Sequence, residues 1–149
     1  MKSRGSAEIY EWLGYSLAIS VGVCFMFQES ILSIDPNQAN EVLKTLITLY
    51  GTLLGFVLTL MAIVISLSDK PIVKNMTKSG HYSNLLTSNK VLSFLYFCSL
   101  AVFMITLMIN ELKPQFYLIS IFFTMFVAIY SLRTAYKFFQ VFKHIDPET

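Results

Sequence analysis

Four stretches of this chain, Trp12 to Gln28, Thr45 to Ser68, Val91 to Asn110 and Pro114 to Leu132, contain no charged residue. Each approaches the ~20 apolar residues that a helix needs to cross the hydrocarbon core of a bilayer. With 13% charged and 55% hydrophobic residues, the chain is too apolar for a soluble domain, where the charged share is nearer ~25%. The expectation is an all-α membrane protein: one domain over residues 1–149, with transmembrane spans at about 12–32, 45–67, 91–110 and 115–135. Helix-compatible residues continue from the last span to about His144 as a cytoplasmic tail.

The first span is the shortest and reaches Ile31 and Leu32 when Glu29 sits at the interface. Lys2 and Arg4 before an apolar core also suggest a signal peptide, but Phe25, Met26 and Phe27 are bulky where a small-x-small cleavage site would fall. A permanent helix is therefore expected. Orientation follows from the basic residues. Lys2, Arg4, Lys70, Lys74, Lys78, Lys90, Arg133, Lys137 and Lys143 fall on one side of the spans, and Lys44 and Lys113 on the other. Nine against two predicts both termini and the central loop in the cytoplasm. Glu29, Asp35, Glu41 and Glu111 make the outer face net negative.

The connections are short. Ser33 to Glu41 contains the turn-forming run Asp35, Pro36, Asn37, and Asn110 to Gln115 forces the last two spans into an antiparallel hairpin. In the cytoplasmic loop Asp69 can cap a short helix, with Pro71 in its first turn and Gly80 at its end. Lys70, Lys74 and Lys78 share one side of it, beside apolar Ile72, Val73 and Met76, which describes a helix lying on anionic headgroups. A docking patch for a cytosolic partner protein is the alternative. Arg133 and Lys137, interleaved with Tyr136, Phe138 and Phe139, are expected to contact membrane lipids or that partner. Nucleic acid is not expected, because the tail's aromatics are few and close to the membrane.

Chemistry has little to work with. A membrane-embedded enzyme or proton-coupled carrier needs ionisable groups at depth, and the deepest here, Glu29, stands at a span end. Cys24 and Cys98 form no CxxC pair and are expected to be buried small apolar residues, and His81 and His144 lie near the interface. No enzyme activity, metal or cofactor is expected.

What stands out is a stripe. Thr45, Thr48, Thr52, Gly55, Thr59, Ala62 and Ser66 are spaced 3, 4, 3, 4, 3, 4, which puts seven small or hydroxyl-bearing side chains along one side of the second span. Small residues let helix backbones approach closely in lipid, and Gly51 and Gly55 add a GxxxG pair, so the stripe reads as a packing seam. Hydroxyls and bare glycine backbone can also line a narrow aqueous path, which would need a ring of copies with this span innermost. Gly14, Ala18 and Gly22 form a lesser seam in the first span, and Ser120, Thr124, Ala128, Ser131 and Ala135 another in the fourth. The third span is bulky, with Phe94, Leu95, Tyr96, Phe97 and Phe103, and is expected to face lipid. Small faces on three helices predict a homo-oligomer.

The run Tyr50, Gly51, Thr52, the apolar positions to Ile65 and Ser66, Lys74 and Lys78, then Gly80, His81 and Tyr82, resembles the middle of the small four-span phage-exclusion membrane proteins of the lambda RexB type. The likeness covers roughly Leu49 to Leu86; Asp69 and Pro71 depart from that family's arginine-rich turn. The resemblance implies a bacterial inner-membrane effector or sensor of antiphage defence, triggered by a cytosolic partner and dissipating ion gradients. The expected function is a homo-oligomer that gates or permeabilises the membrane. Its alternative is a non-conducting anchor or sensor that docks a cytosolic effector.

Overall fold

The computed structural model describes residues 2–66, 81–109 and 114–143. Among these residues the chain forms four α-helices and no strand: α1 (Lys2–Leu32), α2 (Pro36–Ser66), α3 (His81–Met108) and α4 (Pro114–Lys143). All four are long and apolar enough to cross a membrane. At 1.5 Å per residue they measure about 42–46 Å, against about 30 Å of hydrocarbon and about 40–45 Å once the headgroups are included.

That excess explains where the helices begin. The second starts at Pro36 rather than near Thr45, and the third at His81 rather than near Val91. Charge-free runs mark what hydrocarbon tolerates, whereas helical hydrogen bonding continues through the headgroup layer, where Glu41, Lys44 and Lys90 are exposed. Glu41 and Lys44 form an ion pair there at 2.8 Å, of the solvated kind that contributes about 0–1 kcal/mol.

The run Asp35, Pro36, Asn37 starts α2 instead of forming an open turn. The Asn37 N–H donates to Asp35 Oδ2 at 3.1 Å and the Ala39 N–H to the Asp35 carbonyl at 3.0 Å. Asp35 is thus the N-cap, and Pro36 occupies the first helical position, where its missing N–H removes nothing. Residues 33–35 alone join α1 to α2.

Cross-helix contacts give the topology. Tyr96 bonds Ser131 and Ser120 bonds Thr106, so α3 and α4 run antiparallel. Tyr50 meets Tyr96 and Phe103, and the Tyr82 hydroxyl reaches the Val64 carbonyl, so α2 and α3 do the same. Trp12 lies against Arg133, and Cys24 shares a groove with Phe122, which sets α1 antiparallel to α4. The helices therefore alternate up and down. The central pair is α3 and α4; α2 packs on α3, α1 packs on α4, and among the described residues α1 and α2 form no packed pair with each other.

The core is aromatic. Tyr50, Tyr96 and Phe103 meet edge to face, with both of the Tyr50 ring contacts at 5.2 Å, and Val127 and Tyr130 close the cluster. α3 is the most buried of the four spans and α2 the least, which reverses the expectation that the bulky third span faces lipid. Phe103 and Tyr96 are fully buried while Phe94 and Phe97 point outward. The reason is that acyl chains are as apolar as a protein core, so bulk and hydropathy do not say which of the two a residue meets. Phe25, Met26, Phe56 and Met108 add to the exposed apolar surface, which acyl chains can cover without leaving backbone groups unpaired.

Candidate functional site

Two sets of small polar side chains are present in this bundle, one outside and one inside. The outside set is the stripe of α2. Thr45, Thr48, Thr52, Gly55, Thr59, Ala62 and Ser66 are all exposed, while Ala39, Leu43, Tyr50 and Val57 are the buried residues of the same helix. At about 100° per residue the two sets point about 170° apart. Every stripe hydroxyl is held by its own helix. Thr45, Thr48, Thr52 and Thr59 donate to the carbonyls of Glu41, Lys44, Thr48 and Gly55 at 2.9–3.1 Å, and Ser66 donates to Ile63 at 2.8 Å. The donors are therefore satisfied without water, and the surface left is small and nearly smooth. A Cβ placed on Gly51 or Gly55 would meet no atom within 4 Å. Within one copy, nothing among the described residues packs against the seam at these glycines.

The seam of α1 behaves the same way. Gly14, Ala18 and Gly22 are exposed, and a Cβ on either glycine would also meet open space. A different set of small residues, Ser16, Ser20 and Cys24, is buried on this helix, along with Ile9 and Ile31. Ser16 bonds the carbonyls of Trp12 and Leu13, and Ser20 that of Ser16. Sequence reasoning expected Cys24 to be buried but missed Ser16 and Ser20; the spacing of four was the available signal, masked by the glycines alongside. In α4 the expected seam divides: Ser120 is buried, Thr124 and Ser131 are half-buried, and Ala128 and Ala135 are exposed.

The inside set links the helices. Tyr117 donates to Asn40 Oδ1 at 3.3 Å, Ser120 to Thr106 Oγ1 at 3.2 Å, Tyr50 to the Thr124 carbonyl at 2.9 Å and Tyr96 to Ser131 Oγ at 3.2 Å. These rungs follow α4 for about half of its length, from Tyr117 to Ser131, and tie α2 and α3 to it. In lipid such bonds contribute about 0.6 kcal/mol each, up to about 1.7. Their main effect is to fix register among helices that hydrophobicity alone leaves free to slide.

Arg133 and Lys137 are half-buried and engaged within the protein. The Arg133 guanidinium lies 4.8 Å from the centre of the Trp12 ring, a cation–π contact that pins the start of α1 to the end of α4. Lys70, Lys74 and Lys78, with the short helix expected between Asp69 and Gly80, lie outside the described residues. Cys24 and Cys98 are both free thiols. Between α1 and α4 lies an open groove of about 300 Å³, walled by Val21, Cys24, Phe25, Gln28, Leu118, Ile119 and Phe122; such mostly apolar walls suit an acyl chain.

Comparison with protein-family models, with curated proteins and with solved structures found no match. The class rests on the molecule itself. Four long apolar helices with an apolar exterior define a multi-pass integral membrane protein.

Proposed function

We propose that this chain is a bacterial inner-membrane protein, with both termini in the cytoplasm, whose copies assemble side by side into a ring that gates or permeabilises the membrane. The observation that carries the reading is the complete exposure of the α2 stripe on the side opposite its core. A helix evolved only to face lipid has no need of seven small or hydroxyl-bearing positions in register, whereas a helix that meets another protein does.

The α1 seam supplies what it can meet. α1 and α2 flank the central pair without packing on each other, and both seams point away from the core. Trp12 stands level with Arg133, Tyr50 with Thr124 and Asn40 with Tyr117. Those levels put Gly14 within about one helical turn of Gly55 in depth, and Gly22 within about one turn of Thr48. A contact between α2 of one copy and α1 of the next joins unlike surfaces, and such contacts close into rings when the rotation permits. Threonine oxygens beside bare glycine backbone would then border the joint or the lumen.

The intrahelical bonding of every stripe hydroxyl favours a second reading, a dry seam in a non-conducting anchor or sensor assembly, with Lys70, Lys74 and Lys78 docking a cytosolic effector. A role in antiphage defence rests on the RexB-type resemblance alone. Ion flux into liposomes separates the two readings. Wild type should conduct and Thr52→Leu with Gly55→Leu should abolish flux and oligomer together. A correctly inserted, oligomeric wild type without flux would end the pore reading and leave the anchor.

A further inference from the structure

Hydroxyls inside the bundle are mostly paired, and the exceptions share one end of it. Ser88, Asn89 and Tyr130 are 2%, 3% and 1% exposed, yet among the described residues Ser88 Oγ, Asn89 Nδ2 and the Tyr130 hydroxyl have no hydrogen-bond partner. Ser88 and Asn89 adjoin in the first half of α3, and Tyr130 lies in the second half of α4. The Tyr130 hydroxyl and Ser88 are close enough to interact but fall short of hydrogen-bond geometry. At the other end of the same helix pair the situation is different. Ser99 donates to the Leu95 carbonyl, Ser120 to Thr106, and Thr124 to the Ser120 carbonyl.

A polar group sealed in a dry interior without a partner has lost its water and received nothing in exchange, and low-dielectric surroundings enlarge that loss. The ligand that would restore these groups must both donate and accept, because two of them are hydroxyls and the third is an amide N–H₂. It must also be small, since the packing is closed around all three. Water meets both conditions, and two to four polar partners are what a buried water uses. A source is close. Lys90, next to Asn89, is exposed, and a lysine head keeps water at its own depth. We propose that α3 and α4 part at this end to admit water among Ser88, Asn89 and Tyr130, so that the bundle alternates between a dry, closed state and a hydrated one. The opening belongs to a single copy and holds whether or not copies conduct together.

Hydrogen exchange by mass spectrometry on the full chain in liposomes tests this, comparing wild type, Tyr130→Phe, and Ser88→Ala with Asn89→Leu and Tyr130→Phe. In wild type, amides of residues 85–92 should exchange at least ~10-fold faster than those of residues 99–106. The triple variant, whose groups no longer seek water, should slow the first segment by about tenfold and raise the thermal midpoint, and Tyr130→Phe should move both part of the way. Equal protection of the two segments in wild type would overturn the proposal. So would faster exchange or a lower midpoint in the variants, because the three groups would then be paired structural contacts. Fast exchange that the variants leave untouched would be ordinary fraying of the helix end and would overturn it too. Should the triple variant fail to fold, Tyr130→Phe, which deletes one oxygen, decides by the same signs.

Discussion

Tyr50 gives the most direct measure of what holds this bundle together. It is 3% exposed, donates to the Thr124 carbonyl at 2.9 Å and touches Tyr96 and Phe103 edge to face at 5.2 Å each. In a soluble core, truncating such a residue to alanine costs about 3–5 kcal/mol, much of it lost transfer from water. Within a bilayer that part vanishes, because a ring released from the bundle enters lipid rather than water. What remains is the hydrogen bond, about 0.6 kcal/mol and at most about 1.7, two ring pairs at about 0.5–1.5 kcal/mol each, and the dispersion contacts of the emptied space. Tyr50→Phe should therefore cost about 0.6–1.7 kcal/mol, and Tyr50→Ala about 2–4. The Thr124 carbonyl is not orphaned by either change, since it also lies within the hydrogen-bonding frame of α4. Reversible unfolding by SDS titration in mixed micelles, followed by circular dichroism, measures both variants against wild type. Equal losses for the two would refute the partition, and a loss below about 1 kcal/mol for Tyr50→Ala would refute the central placement of the ring.

Other expectations follow from the ends and the flanks. Asp35→Ala should destabilise the start of α2 by about 1 kcal/mol while Asp35→Asn stays near wild type; identical unfolding of all three proteins would mean the cap is idle. Gly14→Cys in one tagged copy and Gly55→Cys in another, on a Cys24→Ala, Cys98→Ala background, should form a disulfide in the membrane if α1 meets α2 across copies, since bridging needs Cα atoms within about 7 Å. Cross-linking no better than that of a pair at mismatched depths, Gly22→Cys with Gly55→Cys, would refute the ring geometry.

The four spans were legible because crossing a bilayer imposes a length and a lack of charge that composition records directly. Helix ends were less so. Pro36 and Asn37 carry turn chemistry, and the same residues serve as the first turn of a capped helix; which role applies depends on Asp35 closing over the Asn37 N–H. The α2 stripe was visible as a pattern, but its direction was not. Small residues at a spacing of 3 and 4 describe a seam equally well whether it meets a neighbour in the same copy or points away from it. The pattern also drew notice to Gly14, Ala18 and Gly22, while Ser16, Ser20 and Cys24, equally small and equally spaced, are the small residues buried on α1.

By itself, then, the sequence determined the number of helices, their apolar character and the existence of small-residue faces, each a property of a single segment and of the solvent it must enter. Only the tertiary structure decided that α3 is central, that the α2 and α1 seams look outward from opposite flanks, and that Ser88, Asn89 and Tyr130 are buried without partners among the described residues. The physical reason is that lipid and protein interior are alike to an apolar side chain. Hydropathy stops discriminating once a helix is in the membrane, and the arrangement passes to shape, to a few interhelical hydrogen bonds and to the rings around Tyr50.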